Sequence, residues 1–151
     1  MTDLRDLYQE VIIDHAKHPR NFRKPEGANR TAEGVNPLCG DKVTLYLEVA
    51  DGTIRDIAFQ GSGCAISTAS ASMMTEALKT KTLTEADRIA ERFHELLTGA
   101  PDPSAEAPEL GKLAVFAGVR EFPVRVKCAT LVWHSLRAAL ADDHRVVTTE
   151  E

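Results

Sequence analysis

Leu4, Leu7, Tyr8, Val11 and Ile12, together with His15, fall on one side of a 3.6-residue period, and His18 stands before Pro19, where a helix usually ends. That spacing predicts a first amphipathic helix, with Ile13 on its opposite side, readable as a docking position or as one of the single exposed apolar residues that are common on surfaces. Residues 19 to 38 interrupt any period with Pro19, Asn21, Pro25, Gly27, Gly34, Asn36 and Pro37, so a long functional loop is expected there. The period then changes to two. Val43, Leu45, Leu47 and Val49 alternate with Thr44, Tyr46 and Glu48, and a second run passes through Ile54, Ile57, Ala58 and Phe59. Between them Asp51-Gly52 suits a type I′ turn, in which both central residues take positive φ. The slip from Ile54 to Ile57 predicts a bulge.

After Gly61-Ser62-Gly63, small residues from Ala65 through Met73 to Leu78 favour a tightly packed helix. Ile89, Phe93, Leu96 and Leu97 share a face of another helix from Glu85 to about Leu97, with Gly99 as its stop and a break at Ala100-Pro101-Asp102-Pro103. A short helix around Leu110, Leu113 and Phe116 precedes Pro123, which opens a last helix carrying Cys128, Leu131, Leu136 and Leu140. With strands early and helices late, the expected class is α+β: a small antiparallel sheet with helices on one face, one domain over residues 1–141 and a frayed polar tail over 142–151.

A chain of 151 residues, 43% of them hydrophobic, is long enough for one self-sufficient core. Its net charge of -5 argues against a reader of phosphate backbones, because such affinity rests on clustered Lys and Arg. Acidic residues stand in Met1-Thr2-Asp3-Leu4-Arg5-Asp6 where a signal peptide needs a basic and then apolar run, and no stretch approaches the roughly 20 apolar residues of a membrane span. No nucleic-acid or membrane partner and a cytoplasmic location are therefore expected. Three cysteines in such a chain point to thiolate chemistry or metal ligation rather than a disulfide framework, with inert burial as the plain alternative for each. The five histidines are scattered and read as surface or core residues, and Met73 and Met74 as packing.

Cys39 and Asp41 share one loop and can turn towards a common point if the chain bends at Gly40. Cys64 follows Gly61-Ser62-Gly63 at the start of a helix, where a thiolate is favoured. Cys128 is far along the chain, and spacing alone does not bring it to the others. The count is suggestive, since three thiols and one carboxylate make up a four-coordinate zinc set.

The motif Asn36-Pro37-Leu38-Cys39-Gly40-Asp41, the turn Gly61-Ser62-Gly63-Cys64-Ala65-Ile66-Ser67 and the segment Arg125-Val126-Lys127-Cys128 resemble the SufU branch of the IscU/NifU-like family. The likeness runs from Leu7-Tyr8 and His18-Pro19-Arg20-Asn21 to Trp133. It departs from IscU-type scaffolds in two ways. Lys127 replaces a histidine before the third cysteine, and its ammonium offers no lone pair to iron. The segment between Cys64 and Cys128 is also about twenty residues longer, with the extra length placed in residues 80 to 105.

The resemblance implies one zinc held by Cys39, Asp41, Cys64 and Cys128. It further implies that Cys39 accepts persulfide sulfur from a SufS-type, pyridoxal-phosphate-dependent cysteine desulfurase and passes it to downstream cluster-assembly machinery. Arg125 is expected to pair with Asp41 when that ligand leaves, and the desulfurase to supply a donor, a histidine, that takes a place on zinc and frees Cys39 for attack. Such a protein is a sulfurtransferase. The alternative is a non-enzymatic scaffold that assembles a transient iron–sulfur cluster on the same cysteines.

Overall fold

The computed structural model describes residues 4–37, 40–98, 110, 113, 116, 119, 122–141 and 147–148. Its elements are α1 (Leu4–Lys17), β1 (Arg30–Asn36), β2 (Asp41–Ala50), β3 (Thr53–Ser62), α2 (Ala65–Leu78), α3 (Leu83–Thr98), α4 (Pro123–Leu140) and β4 (Val147–Thr148). The expected α+β class and antiparallel sheet are present. Strand order is β3-β2-β1-β4, with β1, β2 and β3 antiparallel and β4 joining β1 in parallel through Gly34↔Val147 and Val35↔Thr148.

The β2–β3 hairpin forms where the two-residue period placed it. Asp51 and Gly52 take φ of 54° and 71°, as the tight turn requires. Glu48 pairs with Asp56 and Val49 with Ile54, so Arg55 is the extra residue and the bulge lies within the slip from Ile54 to Ile57. Beyond it Leu47 meets Ile57 and Leu45 meets Phe59, all buried.

Two expectations are corrected. Residues 19–38 are not all loop, because β1 occupies Arg30–Asn36 and pairs with β2 along its whole length. Its core-facing residues are Ala32, Gly34 and Asn36, small or polar, so no apolar alternation marks the strand. The size limit has a cause in packing. A Cβ on Gly34 would run into Ser135 Oγ and stand 3.1 Å from Leu131 Cδ1, so α4 lies directly on β1 at that point. The tail, expected to fray from Asp142, contributes β4 at Val147–Thr148, whose backbone pairs with the edge of β1. The rest of that tail, the stop at Gly99 and the break at Ala100-Pro101-Asp102-Pro103 lie outside the described residues.

Helices cover one face of the sheet. α4 packs on β1 and β2, α2 on β3 and on α4, α1 on α2, and α3 on α4. One contiguous core results, joining Val43, Leu45 and Ile57 of the sheet to Met74, Leu131 and Leu136. α3 starts at Leu83, two residues before the expected Glu85. Thr82 and Glu85 exchange backbone-to-side-chain bonds of 3.1 Å in both directions, a capping box that fixes the start. Its buried stripe of Ala86, Ile89, Ala90, Phe93 and Leu97 ends on α4, where Phe93 stacks on Trp133 at 4.5 Å. Leu110, Leu113 and Phe116 fall where a short helix was expected. With Val119 they recur every three residues, each buried and in 3₁₀ conformation.

α1 ends at Lys17, just before His18-Pro19, as expected. Ile13 on its outer side is 50% exposed. Its inner His15 is buried and lies 2.7 Å from Ser72 Oγ of α2, which also accepts the Arg20 backbone N–H at 2.8 Å. Among the described residues no helix is long and apolar enough to cross a membrane.

Candidate metal centre

Three of the expected donors meet at one end of the sheet. Asp41 opens β2, Cys64 stands between β3 and α2, and Cys128 lies about a turn and a half into α4. One ligand atom from each falls within 4.8 Å of the other two. The carboxylate and Cys128 are almost fully enclosed, at 2% and 3% exposure, whereas Cys64 is half-buried and opens the site to solvent.

Local sequence explains each position. β1 and β2 are in register to their last pair, Asn36↔Asp41, and the connection closes with the Gly40 N–H donating to the Asn36 carbonyl at 2.9 Å. Gly40 takes φ of 71°, so the bend foreseen there is real. Cys64 is the N-cap of α2, and its Sγ accepts from the Ser67 backbone N–H at 3.4 Å.

Asp41 is locked by its neighbour. The Cys64 N–H donates to Oδ1 at 2.9 Å, and Oδ2 lies 3.8 Å from Cys64 Sγ. Gly63 makes this approach possible, since a Cβ there would stand 2.7 Å from Oδ1. Cys128 is brought in by helix packing. Ser70 Oγ of α2 donates to the Ala129 carbonyl at 2.6 Å and accepts from Trp133 Nε1 at 3.1 Å, so α2 and α4 are bolted together beside Cys128. At the far end of α4, Arg30 donates to the carbonyls of Ala139 and Leu140 and ties the helix to β1.

The donor set fits zinc. Bond lengths of about 2.3 Å to sulfur and 2.0–2.2 Å to oxygen in a tetrahedron require S···O near 3.6 Å and S···S near 3.8 Å. The 3.8 Å between Cys64 Sγ and Asp41 Oδ2 matches the first requirement closely, and the outer limit of 4.8 Å leaves small shifts to reach the second. A borderline-soft ion also accepts both thiolate and carboxylate, the two donor types present.

Residues 7–129 match the family model of the NifU-like N-terminal domain. The chain belongs to that family. A Streptococcus pyogenes serotype M1 protein named iron–sulfur cluster assembly scaffold protein IscU is 41% identical over 140 residues, 93% of this chain and 86% of the relative. The Bacillus subtilis protein named zinc-dependent sulfurtransferase SufU is 37% identical over 141 residues, 93% and 94% of the two chains. A crystal structure from Fervidobacterium islandicum, described as a candidate scaffold protein for cluster assembly in the SUF system, superposes with a TM-score of 0.81 at 37% identity, covering 87% of this chain and 94% of that one. The resemblance drawn from the cysteine motifs is thus shown.

In this NifU-like domain the remaining expected residues stand differently. Cys39 lies outside the described residues, between Pro37 and Gly40 of the β1–β2 connection. Arg125 stands on the first turn of α4, exposed, with its guanidinium 4.7 Å from the centre of the Phe122 ring. It makes no ion pair with Asp41 among the described residues, and the carboxylate is held instead by the Cys64 backbone. Three supporting residues, Gly63, Ser67 and Asn36, stand in the quoted motifs, and the structure adds the contacts they make. The first two flank Cys64 and follow from its N-cap position. Asn36 was legible only as part of the motif, because its partner is 92 residues away.

Proposed function

We propose that the chain is a cytosolic zinc-dependent sulfurtransferase of iron–sulfur cluster biogenesis, in which Cys39 accepts persulfide sulfur from a SufS-type, pyridoxal-phosphate-dependent cysteine desulfurase. The observation that carries the reading is the meeting of Asp41, Cys64 and Cys128 within 4.8 Å, a mixed oxygen and sulfur set with one place left for a fourth donor. Two peptide units place the Cys39 Cα within about 7 Å of the Asp41 Cα, so the chain itself allows that fourth donor to be Cys39. The zinc-dependent relative supports the same reading. So does Lys127, a cation where a cluster scaffold would use a ligand.

Bound zinc would hold its cysteine ligands as thiolates at neutral pH. The protein's own residues divide the remaining work. Cys64 and Cys128, each with an N–H donor on sulfur, are the retained ligands. Cys39, next to Gly40 in the sequence, takes the role of the exchangeable ligand. Its thiolate attacks the outer sulfur of the desulfurase persulfide, the S–S bond breaks, and the desulfurase cysteine departs as thiolate. One sulfur atom moves with no net oxidation. Arg125, exposed one turn before Cys128, is free of carboxylate partners among the described residues and is available to receive Asp41 as a bidentate pair when the site opens.

A second reading is supported by the Streptococcus relative, named a scaffold: a transient cluster on Cys39, Cys64 and Cys128. Mass spectrometry after incubation with desulfurase and cysteine tests the first reading. Persulfide on Cys39, abolished in Cys39→Ala together with the stimulation of desulfurase turnover, is expected. Anaerobic reconstitution giving a stable, transferable, visibly absorbing cluster, with no persulfide on Cys39, would establish the scaffold instead.

A further inference from the structure

Asn36 is fully buried, at 0% exposure, and its side-chain Nδ2 lies 3.7 Å from Cys128 Sγ. It is the last residue of β1, held by its pair with Asp41 and by the Gly40 N–H on its carbonyl, so its side chain is aimed by backbone that also positions the carboxylate donor. One residue thus touches both halves of the site.

The chemistry of that contact is informative. A neutral thiol is a weak acceptor, and a buried amide that gives up water for it gains little. A thiolate is a charged acceptor, and hydrogen bonds to ionised groups are about twice as strong as neutral ones. A fully enclosed carboxamide directed at sulfur is therefore favourable when that sulfur is anionic, as it is on a metal. Cys64 has its own donor in the Ser67 N–H, so both retained sulfurs are met by N–H groups fixed before any ion arrives.

We propose that Asn36 is a positioning residue of the metal centre: its amide donates to Cys128 Sγ, orients that thiolate, and draws charge from it so that Cys128 stays on the ion while Cys39 exchanges. The inference rests on the zinc reading above and deepens it. Pro37 immediately after Asn36 has no N–H and a fixed φ, which restricts the backbone next to the amide.

Asn36→Ala removes the amide, and Asn36→Leu nearly keeps its volume while removing both donor hydrogens and adding no charge. In cobalt-substituted protein both variants are expected to move the sulfur-to-metal charge-transfer band to longer wavelength, because the sulfur regains charge. Chelator competition should show zinc binding weakened about 10-fold or more, the usual effect of losing an outer partner of a ligand. If Asn36 only fills space, Asn36→Leu will keep the wild-type band and affinity, and the proposal is overturned. The unaltered protein loaded with ¹¹³Cd supplies a measurement that needs no variant: scalar coupling from cadmium through Sγ to an Asn36 side-chain proton is expected, and its absence also overturns the proposal. Wild-type protein that takes up no stoichiometric zinc would defeat the underlying metal reading, whereas normal uptake with unshifted variants defeats this inference alone.

Discussion

Gly63→Ala perturbs the site without touching a donor. Gly63 does not have a positive φ, so the new methyl group acts only through space. Its Cβ would stand 2.7 Å from Asp41 Oδ1 and 3.1 Å from Cγ, and ordinary contact begins at 3.4 Å, so the carboxylate must retreat by about 0.7 Å. The bond from the Cys64 N–H to Oδ1, 2.9 Å in the native site, then stretches to as much as about 3.6 Å, where it ceases to count as a hydrogen bond. Asp41 is 2% exposed, so water does not replace the lost donor. A hydrogen bond to a charged group contributes about 1.5–3 kcal/mol, which corresponds to roughly 10- to 150-fold in an equilibrium constant.

Two assays read this out. Urea unfolding of the metal-free variant should show a loss in that range, followed by the fluorescence of Trp133, which is buried against Phe93. Zinc competition against a chromophoric chelator should show an affinity at least about 10-fold lower, because the oxygen donor has moved away from the sulfur set. A variant whose unfolding midpoint and zinc affinity both match wild type would refute the reasoning that glycine is present to let the carboxylate in.

Gly34→Ala should destabilise the fold by about 1–3 kcal/mol, because its Cβ would drive Ser135 and Leu131 of α4 away from β1. Zinc affinity should fall with it, since Cys128 rides on α4, and a crystal structure showing α4 unmoved would contradict this. The acid limb of stability should depend on Asp56, whose carboxyl is held below its ordinary value first by hydrogen bonds from Arg23 at 2.7 and 3.0 Å and also by Lys79 at 3.4 Å. A depressed folded-state pKa contributes stability that is complete above the unfolded value near 4 and is lost as pH falls through the folded one. Asp56→Asn should therefore flatten the decline of the urea midpoint below about pH 4, and an unchanged slope would exclude the pair as its source.

Much of the fold was legible because periodicity records which face is buried. The hairpin, its Asp51-Gly52 turn and its bulge followed from Val43–Phe59, and α3 from the shared face of Ile89, Phe93, Leu96 and Leu97. β1 was not legible, because the residues it turns to the core are Ala32, Gly34 and Asn36. Their sizes are set by α4 lying on them, a contact made some hundred residues later in the chain. The tail strand was hidden for a related reason, since two residues pairing through backbone alone leave no mark in side-chain pattern.

The site divides along the same line. The sequence by itself determined the donor types, the flexible bend at Gly40 and the placement of Cys64 at a helix start, all of which are local properties of a few consecutive residues. Only tertiary structure decided that Cys128 joins Asp41 and Cys64, that Gly63 admits the carboxylate, and that Asn36 reaches Cys128 across 92 residues. Those outcomes depend on how closely α2 and α4 approach. Small side chains and the Ser70–Ala129 bond set that approach, and no spacing of letters in one segment encodes a distance between two.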